Sequence, residues 1–148
     1  MHDDRRLLEA RLNRFFRDHV EPAIYQASAP LALTAWRVPG DPVPFADVAP
    51  QNFTSIDIGA AWGEPWSTLW IHAVGEVPAD WSRVAATKPE IVIDLGFTAA
   101  AGFQAEALAY RADGSMIKAV SPFNNYLPVT PGEPVEFYLE AAANPDIA

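Results

Sequence analysis

Nineteen carboxylates, three histidines and five tryptophans are the side chains in this 148-residue chain that could do chemistry. Facing carboxylates hydrolyse glycosidic bonds, one as acid and the other as base or nucleophile. Glu64, Asp80, Asp94, Glu106 and Glu140 lie nearest the patterned blocks of the sequence, but none stands in a distinctive motif, and surface, turn or capping roles are expected of each. His2-Asp3-Asp4 offers metal-ligand atoms on a terminus without fixed geometry. His19 falls near a helix end, where an imidazolium suits the C-terminal dipole. His72 follows Trp70 on one strand face and is expected to be a hydrogen-bonded structural histidine. No Ser-His-Asp arrangement, phosphate-binding glycine loop or EF-hand loop is present. Neither a catalytic nor a metal-binding residue is therefore assigned.

The tryptophans are the other possibility, because sugar-binding sites use aromatic faces together with a few polar groups. Trp36, Trp62, Trp66, Trp70 and Trp81 are the candidates. Trp70 is expected in the core. Trp62 and Trp66 stand open between packing on their own domain and an exposed patch that docks another. With Trp81, they are the candidate docking or sugar-contact residues.

The elements that must position these side chains are mostly strands. Trp62-Gly63 and Pro65 read as a turn. From Ser67 to Val77 the chain alternates, with Thr68, Trp70, His72, Val74 and Glu76 on one face and Leu69, Ile71 and Ala73 on the other, until Pro78 closes the run. Both faces carry large apolar groups, so this strand is expected to be covered on both sides. Further strands are predicted at 31–38, 53–58, 90–95, 103–111, 115–120 and 134–142. Asp113-Gly114 is a hairpin signal and Pro131-Gly132 a second turn. Ala99-Ala100-Ala101-Gly102 reads as a loop, and Pro122 to Tyr126 as an irregular connection. Before them lies one helix, residues 4–20, with Leu8, Leu12, Phe15, Phe16 and Val20 at three- and four-residue spacing. Asp3 can cap it. Arg5 with Glu9 and Arg14 with Asp18 form i,i+4 pairs, and Pro22 is expected to end it by Val20 or Glu21.

Half the residues are hydrophobic, enough for one sizeable core at this length. Five Lys/Arg and five Asp/Glu fall in residues 1–21, leaving five bases against fourteen acids from Pro22 onward. Such a body repels phosphate backbones, so neither nucleic acid nor an anionic membrane is an expected partner. Neutral sugars and other protein surfaces remain open. With no apolar run of membrane-spanning length, no signal-like N-terminus and no cysteine, the expectation is a soluble, cytoplasmic protein.

The tryptophan stretch also carries a resemblance. Trp62-Gly63-x-Pro65-Trp66-Ser67-Thr68-x-Trp70, followed by an apolar strand and Val77-Pro78-x-Asp80-Trp81, resembles the N-terminal region of glycoside hydrolase family 38 α-mannosidases of the cytosolic and vacuolar type. Ile93-Asp94-Leu95-Gly96, Glu106-Ala107-Leu108 with the Asp113-Gly114 turn, and Phe137 to Pro145 are similar to that family's later blocks, in the same order. The resemblance implies an auxiliary domain preceding a catalytic domain that hydrolyses terminal α-D-mannosides. It also implies zinc or another divalent metal held in that catalytic domain and no cofactor in this chain. The motifs for the metal ligands and the nucleophile are absent here. The expected partners are then the catalytic domain of the same polypeptide, mannosides for the parent enzyme, and further copies of the chain.

The fold expected from these observations is mainly β: an antiparallel β-sandwich, jelly-roll or galactose-binding-like, spanning about 31–145 in a single domain of 1–148, with one N-terminal amphipathic helix packed against it. A free-standing carbohydrate-binding module and a protein-interaction sandwich are the alternatives.

Overall fold

The computed structural model describes residues 4–83, 88–98 and 104–145. The chain divides into two compact units, residues 1–30 and 31–148. The predicted cap at Asp3, the His2-Asp3-Asp4 cluster, the loop from Ala99 to Gly102 and the predicted strand start at Phe103 lie outside the described residues.

The first unit is helical. An α-helix, α1, runs Arg5–Phe15, a π-turn follows at Phe16–Val20, and a last α-helical turn, α2, covers Glu21–Ile24. The predicted stop before Pro22 is corrected: the helical path continues to Ile24. The π-turn resets the hydrogen-bond ladder, with the Glu21 N–H donating to Phe16 O. Pro22 then falls in the first turn of α2, where a missing N–H removes no ladder bond. Arg5 meets Glu9 at 2.8 Å as expected. Asp18 pairs with Arg17 at 3.2 Å in place of Arg14. None of the three segments contains a buried residue.

The second unit has eight strands among the described residues: β1 Ala32–Arg37, β2 Thr54–Ser55, β3 Ser67–Glu76, β4 Glu90–Val92, β5 Glu106–Tyr110, β6 Met116–Val120, β7 Tyr126–Pro128 and β8 Pro134–Ala143. All pair antiparallel, in a six-stranded sheet of order β2-β1-β3-β8-β5-β6 and a two-stranded sheet of β4 and β7. The central pair is β3 with β8, in register from Ser67 opposite Ala143 to Glu76 opposite Pro134. β7 replaces the end of the predicted irregular connection. It is only three residues long and ends in proline, too short to show alternation, and pairing with β4 creates it.

The main core lies between the two sheets. Leu69, Ile71 and Ala73 of β3, Phe137, Leu139 and Ala141 of β8, and Ala107 and Ala109 of β5 face Ile93, Leu95 and Leu127, all buried. A second cluster forms on the opposite face of the large sheet, where Trp70 is fully buried with Val38 and Val48. The segment after β1 folds over this face through a single 3-10 turn at Phe45–Asp47, adding Val43, Phe45 and Phe53. That is why β3 is apolar on both faces.

Candidate functional site

Two places carry the side chains that the sequence singles out: the tryptophan turn ahead of β3 and the outer face of the large sheet. In the turn, Gly63 has φ +71°, and a Cβ there would lie 2.6 Å from the Ala143 side chain, so both conformation and space require glycine. The Ser67 N–H donates to Glu64 O at 2.9 Å and closes the turn. Between them Trp66 takes φ +68°, the one non-glycine residue with positive φ among those described. An L-residue in that region costs about 1–2 kcal/mol. Its N–H donates to Ala143 O at 2.7 Å, which ties the turn to the end of β8. The residue is 80% exposed. The Glu64 carboxylate and the Arg37 guanidinium, 3.9 Å apart, stand in solvent at the same end of the sheet.

The other two tryptophans of the candidate set are held differently. Trp62 packs against the main core and donates its Nε1–H to Leu95 O at 3.2 Å, bridging the turn to the segment after β4. Trp81 lies in a 3-10 turn at Ala79–Arg83 and packs against the same core. Trp66 thus offers the open ring, while Trp62 and Trp81 are partly buried. Trp36 packs against the second cluster and stands opposite Trp70 across the β1–β3 pair.

On the outer face, aromatic rings form a continuous network. Phe45 packs edge-on against Trp70 and Tyr138 and tilted against Tyr110, with centroids 5.3–5.8 Å apart. Phe53 meets His72 and Tyr138 edge-on. The His72 and Tyr138 rings stack at 4.2 Å and 11°. Cross-strand carboxylates meet two of these polar rings: His72 Nε2 lies 3.1 Å from Glu136 Oε1, and the Tyr110 hydroxyl donates to Glu140 Oε2 at 3.0 Å. Burial first, then the hydrogen bond to Glu140 and its charge, raise the Tyr110 pKa. Burial, then the charge of Glu136, raise that of Tyr138. Both phenols hold their protons more firmly than in water, so Tyr110 acts as a donor. Gly114 of the 111–115 hairpin lies against Phe45: a Cβ there would come within 2.8 Å of the ring.

These carboxylates do not make a hydrolytic pair. Glu136 and Glu140 are four residues apart on one strand face, about 13 Å along the backbone, with Tyr138 between them. Facing acids in glycosidases stand roughly 5–10 Å apart. Of the other acids, Asp94 accepts from the N–H groups of Gly96 and Phe97, a turn-capping role. Glu106 is exposed on β5, and Glu64 and Asp80 are exposed beside turns. His19 touches Phe15, with centroids 5.0 Å apart. Among the described residues, no three His, Asp or Glu side chains stand together to hold a metal ion. No described helix is long and apolar enough to cross a membrane.

Phe45 and Phe53, which complete the outer face, are functional-site neighbours that sequence reasoning passed over. Phe45 sits in a proline-punctuated loop with no periodicity, and Phe53 opens the predicted 53–58 strand, of which only Thr54–Ser55 pairs; the surplus of apolar residues on the Thr68-Trp70 face was the signal that something had to cover it.

No curated protein sequence gives a significant match to the chain. The family described as "Alpha-mannosidase, jelly roll domain" matches residues 29–148, the whole of the second unit. With an all-antiparallel two-sheet architecture and a match over most of its length, the chain belongs to the α-mannosidase jelly-roll domain family.

Proposed function

We propose that this chain is the N-terminal, non-catalytic domain of a family 38 α-mannosidase, whose parent polypeptide hydrolyses terminal α-D-mannosides with a divalent metal held outside this domain. Its task is to seat against the rest of that polypeptide through the Trp66 end of the large sheet. The observation that carries this reading is Trp66 itself: a strained backbone holding a large ring out in solvent, hydrogen-bonded to the last residue of β8. Strain of this kind persists where the surroundings over-determine it, and functional surfaces are where it collects. Tryptophan is also among the residues that most often dominate protein interfaces.

The test has two arms. The isolated chain, supplied with zinc, manganese or cobalt, is expected to release no nitrophenol from an aryl α-mannoside; release that disappears on replacing a carboxylate of this chain would overturn the reading. In a polypeptide carrying a catalytic domain after this one, Trp66 is expected to be shielded from acrylamide quenching, and Trp66→Ala to lower the temperature at which mannosidase activity is lost. Quenching of tryptophan emission by mannose oligosaccharides in the isolated chain, abolished by Trp66→Ala, would instead favour a carbohydrate-binding module.

A further inference from the structure

We infer that the N-terminal helix is a self-association element that pairs antiparallel with the same helix of a second copy. Leu8, Leu12 and Phe16 are 61%, 66% and 47% exposed, and Ile24 is 56% exposed. Residues four apart on an α-helix drift by roughly 40° around its axis per step, so Leu8, Leu12, Phe16, Val20 and Ile24 would spiral off one face. The π-turn at Phe16–Val20 is wider than an α-turn and takes back part of that drift, returning Val20 toward the line of Leu8 and Leu12. The result is an apolar seam running about 24 Å from Leu8 to Ile24. Helices draw most of their stability from burying such a face.

The charges beside the seam say what covers it. On one flank stand Arg5 and Glu9 in the first half and Arg17 and Glu21 in the second, with signs running basic, acidic, basic, acidic. A parallel pair of identical helices turns this flank toward the opposite flank of its partner, so these four side chains do not meet one another. An antiparallel pair with Leu12 against Phe16 of the second copy and Leu8 against its Val20 sets Arg5 beside Glu21 and Glu9 beside Arg17. One register brings Leu8, Leu12, Phe16 and Val20 together and pairs these charges, with Ile24 beyond the matched stretch, and the C2 symmetry repeats every contact twice. Arg5 already bonds Glu9 within the helix at 2.8 Å, so the cross-pairs extend an existing ion pair into a network. A phospholipid surface fits less well, because the chain carries a net charge of −9.

The experiment is sedimentation of the full 148-residue chain over a concentration series to about 100 µM, with the same series for Leu12→Arg, Arg17→Glu and the double variant Glu9→Arg/Arg17→Glu. The expected result is a concentration-dependent dimer. Leu12→Arg abolishes it, with tryptophan emission confirming that the sandwich is intact. Arg17→Glu sets glutamate beside Glu9 twice per dimer and weakens association roughly three- to tenfold, the scale of exposed ion pairs counted twice. The double variant restores those pairs only in the antiparallel arrangement, and its dissociation constant returns toward the parent value. A monomer throughout, a dimer indifferent to Leu12→Arg, or a double variant no better than Arg17→Glu would overturn the proposal. So would a monomer whose helix drives co-sedimentation with phosphatidylserine vesicles.

Discussion

Trp66 and Trp70 lie four residues apart, yet one is 80% exposed and the other completely buried. The contrast comes from the backbone. Trp70 sits mid-strand in β3, where extended geometry fixes its side chain to one face, and the 38–53 segment supplies Phe45, Val48 and Val43 to close over it. Trp66 is the last residue before β3, and its positive φ releases it from that alternation. Two side chains of identical chemistry therefore end in opposite surroundings: one joins the sheet to its cover, and the other stands in solvent.

The sharpest way to break this comparison is Trp70→Ala. Removing a fully buried aromatic from the second cluster is expected to destabilise the chain by about 3–5 kcal/mol, read as a shift of the denaturant midpoint. The indole N–H of Trp70 has no hydrogen-bond partner among the described residues, so the loss would come from packing. A small shift would mean that the outer-face cover contributes little.

Gly63→Ala tests the turn that sets the two tryptophans apart. The positive φ and the approach to Ala143 together are expected to cost about 2 kcal/mol or more. A chemical denaturation curve matching the parent's would show that the turn can relax at no cost.

The outer face also makes a pH prediction. Tyr110 holds its proton more tightly when folded than its ordinary value of 10.0. That contribution to stability is fully present below pH 10 and is lost as the pH rises through the folded pKa. Tyr110→Phe is expected to cost about 1 kcal/mol at neutral pH through the lost hydrogen bond to Glu140, and to flatten the decline above pH 10, leaving the share of Tyr138. An alkaline unfolding profile of unchanged slope would separate Tyr110 from that decline.

The smallest effect has the opposite sign. Trp66→Gly removes a ring that touches little and relieves a left-handed residue, so the isolated chain is expected to gain up to about 1 kcal/mol. Thermal unfolding that moves clearly downward would show that the exposed indole is holding its own domain together.

The sequence by itself determined most of the strand plan. Alternation over Ser67 to Val77, the Asp113-Gly114 turn and the apolar runs at 90–95 and 134–142 are local signals, and each lies where an observed strand or hairpin lies. The blocks around the tryptophans also carried the family, because their order and spacing together are more specific than any one block. Three things were decided only by tertiary structure. β7 exists through its pairing with β4 and not through its own pattern. The helix passes Pro22 because the π-turn ahead of it changes which N–H groups are needed. The fates of Trp62, Trp66 and Trp81 were open because burial depends on what the rest of the chain brings near. The Leu95 carbonyl claims Trp62, the main core takes Trp81, and a hydrogen bond to Ala143 fixes Trp66 facing water.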